Sequence, residues 1–275
     1  MRQATLAPSL APPTGLRRAV RAELRRAFHR PFEVPVIAAV NGTAVTLAWF
    51  LAPPRLATLL FTFHGPLGFP MALAGWMLSD VPATNLIGAD PGWALAALPD
   101  RQALRRMYRA KNLVLWLLVA PVALTIALVV GLHVHRPLAT IFTLLWIGVV
   151  PLGALGLSQW LGIFLPYHPV PLRRRWAHRR PYRRQVRWLI LTVAPYGLVP
   201  ALVLVLSVPT LLLWVFTVRM NWYTDPKADR DFAWGVSLGA FVSLAVWFGG
   251  VRLGARLTQR RAARLAAFLA DPDRG

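Results

Sequence analysis

The sequence predicts an all-α integral membrane protein with six transmembrane helices and both termini in the cytoplasm. Three observations carry that prediction. Of the 275 residues, 56% are hydrophobic and only 15% are charged, against about 45–50% and about 25% in a soluble domain. The charges fall in blocks that alternate with apolar runs long enough to cross a hydrocarbon core of about 30 Å. The blocks are also unequal. With six spans, segments 1–33, 79–112, 166–187 and 252–275 share one side and hold seven, five, eight and six Lys or Arg. The turns on the other side hold only Arg55, Arg136, Arg219, Lys227 and Arg230. Basic residues gather in cytoplasmic loops, and removing one span would invert every later loop.

Residues 1–15 read as a flexible tail. Residues 16–30 follow as an amphipathic helix. Leu16, Val20, Leu24 and Phe28 recur every four residues, with Arg17, Arg18, Arg21 and Arg25 on other faces. Such a helix lies on the headgroups before the chain enters the bilayer. The plainer reading is a basic flank of the first span, which covers 34–52. The second span, 56–78, contains His64 beside Gly65 and Pro66. A histidine at that depth is either a pore or relay group or part of a kink bonded to a nearby carbonyl.

The stretch 79–112 is far longer than a turn requires. Asp90 suits an N-cap and Pro91 a first helical position, with Trp93, Leu95 and Leu98 following. Pro99-Asp100 restarts the pattern, and a second helix from Arg101 to Arg109 carries Arg101, Arg105, Arg106 and Arg109. Two helical starts outside the membrane suggest a docking surface for another protein. Spans three (113–134) and four (138–161) are joined by a short turn holding His133 and His135, read as solvated. The segment 166–187 has eight arginines and no acid.

The apolar stretch from Trp188 to Val218 has 31 residues. As one helix it would run roughly 46 Å, too long for one crossing and too short for two. Pro195, Pro200 and Pro209 are expected to break it into a span over 188–206 and a re-entrant piece over 209–218, with these prolines as pore or gating positions. The sixth span covers 232–251, with Gly235, Ser237, Gly239 and Ser243 suited to close packing. Residues 252–275 read as a basic cytoplasmic tail helix.

The net charge is +21, nearly all from arginine, since Lys111 and Lys227 are the only lysines. These blocks flank apolar runs, so they read as orientation signals and contacts to anionic lipids rather than a nucleic-acid surface. With no cysteine there is neither disulfide nor thiolate chemistry. None of the apolar cores contains Asp, Glu, Lys or Arg, which disfavours an ionic relay within the membrane. Neither lysine follows a glycine, so there is no P-loop. The chain is expected not to be an enzyme and to hold no cofactor or metal.

Three stretches carry a resemblance to a known family. They are Asn85–Asp90 (NLIGAD), Arg109–Asn112 with the span after it, and Leu155–Pro171 (LGLSQWLGIFLPYHPVP). They resemble the transmembrane permease subunit of bacterial ABC exporters of the second exporter type, whose ATPase is a separate chain. Ala110 stands where relatives carry glycine, and Ser158-Gln159-Trp160 where Gly-Asn-Leu is usual. The resemblance implies that Leu16–Arg30 is the connecting helix. It implies that Asp90–Arg109 docks on the ATPase, with Asp90, Trp93, Leu95, Leu98, Asp100, Arg101 and Arg105 as coupling residues. A second permease subunit, identical or sister, would complete the machine in the bacterial cytoplasmic membrane and move a hydrophobic or amphipathic substrate. The alternatives are a non-transporting scaffold that anchors a cytosolic protein through its basic loops, and, last, a lipid-directed membrane enzyme.

Overall fold

The computed structural model describes residues 13–29, 33–61, 63, 65–168, 182–218 and 226–271, and every regular element among them is helical. The amphipathic helix α1 (Leu16–Ala27) precedes the first long helix, α2 (Glu33–Leu51). Four short helices come next: α3 (Pro54–Leu60), α4 (Gly68–Trp76), α5 (Val81–Thr84) and α6 (Pro91–Ala97). Then follow α7 (Arg101–Val134), α8 (Pro137–Phe164), α9 (Tyr182–Val218) and α10 (Pro226–Arg260), and the short α11 (Ala262–Leu269). Five helices among the described residues are long and apolar enough to cross a membrane, so this is an all-α multi-pass architecture. His64, residues 1–12 and the arginine-rich residues 169–181 lie outside the described residues.

The expected second span is not one helix. Residues 56–78 divide into α3 and α4, each too short to cross a bilayer alone. The cause is local. Gly65 takes φ +80, a conformation that favours glycine, and Pro66 cannot donate a helical hydrogen bond. A Cβ at Gly68 would lie 2.6 Å from the carbonyl oxygen of Phe63, so the chain folds tightly on itself there.

The break expected in the fifth apolar stretch is absent. α9 runs unbroken through Pro195, Pro200 and Pro209 to Val218, and no separate re-entrant piece follows residue 206. Each proline removes one hydrogen bond, and a tightly packed neighbour can hold the helix together across the gap. At Pro209 that neighbour is α10. A Cβ on Gly235 would sit 2.7 Å from the Cα of Thr210, and one on Gly239 would be 3.3 Å from the carbonyl oxygen of Leu206. Interruption therefore occurs in the second apolar run, not the fifth.

Two boundaries also shift. The helix expected over 101–109 and the span expected from 113 are one 34-residue helix, α7, because Lys111 and Asn112 turn inward instead of ending it. The last span continues to Arg260, leaving only eight residues for α11.

α8 is the centre of the bundle and packs most extensively on α10. Their backbones meet at glycines. A Cβ on Gly250 would be 2.3 Å from the carbonyl oxygen of Gly156, and one on Gly156 would be 2.7 Å from the Cα of Trp247. α7 and α8 form a hairpin joined only by His135, in the left-handed region at φ 54, and Arg136. Just above that turn Gly131 lies against Thr140, whose hydroxyl donates to the carbonyl of Arg136 at 2.8 Å.

Candidate functional site

The described parts of three basic segments, 13–29, 79–112 and 252–271, gather at one end of the bundle, with Tyr167 and His168 beside them. α1 packs on the start of α7 through Ala19, Glu23 and Ala27. That face adjoins the Leu16–Phe28 stripe, of which Leu16 and Phe28 are exposed and Val20 and Leu24 half-buried. Asn85 donates to the Tyr167 carbonyl at 2.8 Å, and a Cβ at Gly88 would lie 2.0 Å from that oxygen. The Tyr108 and Thr258 hydroxyls are 2.6 Å apart, joining α7 to α10. His168 bonds the Phe268 carbonyl at 2.9 Å and stacks on the Phe268 ring. Arg101 donates to Gln259 at 2.8 Å.

A buried ion cluster ties α1 to this end. Glu23, 5% exposed, accepts two hydrogen bonds from Arg26, one of them at 2.8 Å. Lys111, 1% exposed, places Nζ 3.6 Å from Glu23, an ion pair rather than a hydrogen bond. Lys111 also lies 5.4 Å from the centre of the Trp93 ring, and Arg26 reaches Asp90 at 4.0 Å. Burial alone would raise the Glu23 carboxyl, but Lys111 and Arg26 outweigh it and hold the group below the ordinary glutamate range. Its contribution to stability is therefore present above the unfolded value of about 4.3 and lost as pH falls through the lower folded value. The stability gap between wild type and Glu23→Gln is expected to be full at pH 7 and to shrink on acidification below about pH 4, as read from unfolding midpoints in detergent. A gap that stays constant to pH 3 would contradict the assignment.

The two helix starts expected from sequence are capped as their residues suggest. Asp90 accepts from the Trp93 N–H at 3.1 Å, with Pro91 at the first helical position. Asp100 accepts from the Gln102 and Ala103 N–H groups at 2.7 and 3.1 Å. The other coupling candidates divide. Leu98 is buried in the core cluster that also holds Leu104 and Met107. Trp93, Leu95 and Arg105 are half-buried. The exposed tip is formed by Pro99, Asp100, Arg101 and Gln102.

A second polar node lies deeper. Asp80 caps α5 and is buried. The Asn41 amide donates to it at 3.3 Å, and the Tyr196 hydroxyl donates to both, at 3.3 Å to Asp80 and 3.2 Å to Asn41. Asn41 belongs to α2 and Tyr196 to α9, so one carboxylate links three elements far apart in sequence. Of the gating candidates, Pro195 is buried within α9, Pro209 lies at the α10 contact, and Pro200 lines a cavity of about 150 Å³ next to the α3–α4 break.

Neither the Glu23–Lys111 pair nor the Asp80 node could be read from the sequence. The available signals were an acid at the fourth position after Ala19 on a basic helix and a lysine in an arginine-rich chain. Among the described residues, no group of three His, Asp or Glu is placed to hold a metal. Comparison with protein-family models, curated proteins and solved structures finds no match for this chain.

Proposed function

We propose that this chain is the permease subunit of an ATP-driven ABC exporter in a bacterial cytoplasmic membrane. In this reading it works with a separate ATPase and a second permease subunit, is not itself an enzyme, and passes a hydrophobic or amphipathic substrate by alternating access. The observation that carries the proposal is the continuity of α7. Its exposed start, Asp100–Gln102, sits among the gathered basic segments, and the same helix runs unbroken for 34 residues, roughly 50 Å, to the far end. A push on that tip by a nucleotide-driven partner would move the hairpin of α7 and α8 as one body. The discontinuous second run and its cavity fit a transporter, since interrupted helices commonly frame substrate paths. The basic end would face the cytoplasm, and α1, with Leu16, Phe28, Arg17, Arg18, Arg21 and Arg25 exposed, would rest on anionic lipid.

Co-expression with a Walker-motif ATPase, followed by purification of the permease, tests the proposal. The wild type is expected to retain the ATPase and to stimulate its ATP hydrolysis in liposomes. Arg101→Glu, on the exposed tip, is expected to lower the retained ATPase at least tenfold while the permease stays folded, a loss of about 1.4 kcal/mol or more. Asp90→Ala is a poorer probe, because losing that cap costs about 1 kcal/mol of folding stability on its own. Recovery of a folded permease that never binds an ATPase would favour the scaffold reading.

A further inference from the structure

The cavity beside the broken second run has the character of a ligand site within a single subunit. α3 rises only about 10 Å before the chain leaves helical geometry. Irregular backbone at membrane depth persists only where protein buries it or where it lines a filled cavity. Here the cavity lies against the break, between Phe61 and Phe63 on one side and Pro200 and Ser207 of α9 on the other. Trp146 of α8 forms the floor, with its ring edge-to-face on Phe63 at 5.6 Å. Pro200 lacks an N–H and so frees the Tyr196 carbonyl from its helical hydrogen bond.

The polar groups of the cavity restrict what it can hold. Ser207 is buried; it donates to the Val203 carbonyl at 2.7 Å and accepts from the Trp146 ring N–H at 3.1 Å. One lone pair of the hydroxyl remains, and it can only accept. Among the described residues, no lining side chain carries a charge. A cavity of about 150 Å³ bounded by apolar side chains is the size that takes up a benzene ring. Leu204 lines the wall and is 43% exposed on the outer surface of α9, which gives the cavity a lipid-facing edge.

We infer that this cavity binds an uncharged small aromatic or short alkyl group carrying one hydroxyl or N–H donor, which enters from the bilayer and donates to Ser207. As a substrate class the inference rests on the exporter reading, while as a binding site it stands apart from it.

The test uses the full chain in nanodiscs with 4-fluorobenzyl alcohol as probe, followed by fluorine NMR. Binding is expected to be saturable in the wild type. It is expected to fall at least tenfold in Gly75→Leu, which fills the cavity. Gly75→Ala, whose new methyl would meet Val203 at an ordinary 3.5 Å, should keep both fold and binding. Ser207→Ala is expected to weaken the alcohol by roughly three- to tenfold while leaving 4-fluorotoluene, which has no donor, unchanged. Equal, non-saturable signals from the wild type, Gly75→Leu and empty nanodiscs would overturn the inference. So would equal weakening of both probes by Ser207→Ala. If an ATPase co-purifies and is stimulated but the probe never saturates, the cavity assignment alone fails. If the probe saturates but no ATPase is retained, the site stands and the exporter reading fails.

Discussion

Glu23→Gln is expected to destabilise the protein by about 3–5 kcal/mol, among the largest effects of any single change. The substitution leaves Lys111, 1% exposed, as a buried cation without its closest counter-ion, and breaking one half of a buried pair costs that much. Lys111→Met is expected to cost less, because Arg26 still donates two hydrogen bonds to Glu23. The double variant should recover a large part of the loss, since two neutral side chains no longer strand a charge. Unfolding in detergent across the four proteins measures the coupling directly. Strictly additive costs would mean that the two groups do not act as a pair. A variant that remains folded but lets α1 be cleaved by protease would show in addition that this pair holds α1 on α7.

Gly250→Ala is expected to lower the unfolding midpoint sharply, while Gly249→Ala, one residue away, leaves it unchanged. A methyl on Gly250 would lie 2.3 Å from the carbonyl oxygen of Gly156, so α8 and α10 must separate to admit it. Overpacking of this kind costs about 1–3 kcal/mol. Backbone on both sides leaves no flexible side chain to give way, so the upper part of that range is expected. At Gly249 a methyl meets nothing within 4 Å. The pair thus separates contact geometry from the general cost of changing a glycine. If both variants unfold alike, the close crossing of α8 and α10 is wrong.

What the sequence disclosed and what it hid divide along the range of the interactions involved. The caps at Asp90 and Asp100 could be read in advance because a cap bonds backbone two or three residues away. That segments 13–29, 79–112 and 252–271 share one end could be read because charge asymmetry sums over whole loops. Lys111 and Asn112, by contrast, resemble a boundary between a surface helix and a span. Only the three-dimensional packing shows that both are buried and that the helix runs through them. Glu23 meets Lys111 across 88 positions, and Asp80 meets Asn41 and Tyr196 across 39 and 116. No periodicity encodes such pairs. The prolines misled in both directions. Pro209 breaks nothing because Gly235 and Gly239 bring α10 against it, whereas Pro66 lies after a glycine at positive φ in the link between α3 and α4.

The two-residue turn between α7 and α8 bears on how the protein is made. Helices joined by two residues leave almost no chain outside the bilayer between them. They would partition into lipid together as one hairpin, already in contact where Gly131 meets Thr140. The arginines at the start of α7 would stay behind as the anchor that sets the orientation of the whole unit. Biogenesis of this chain would then turn on a single committed step near its middle, after which the earlier, interrupted segment settles against a finished scaffold.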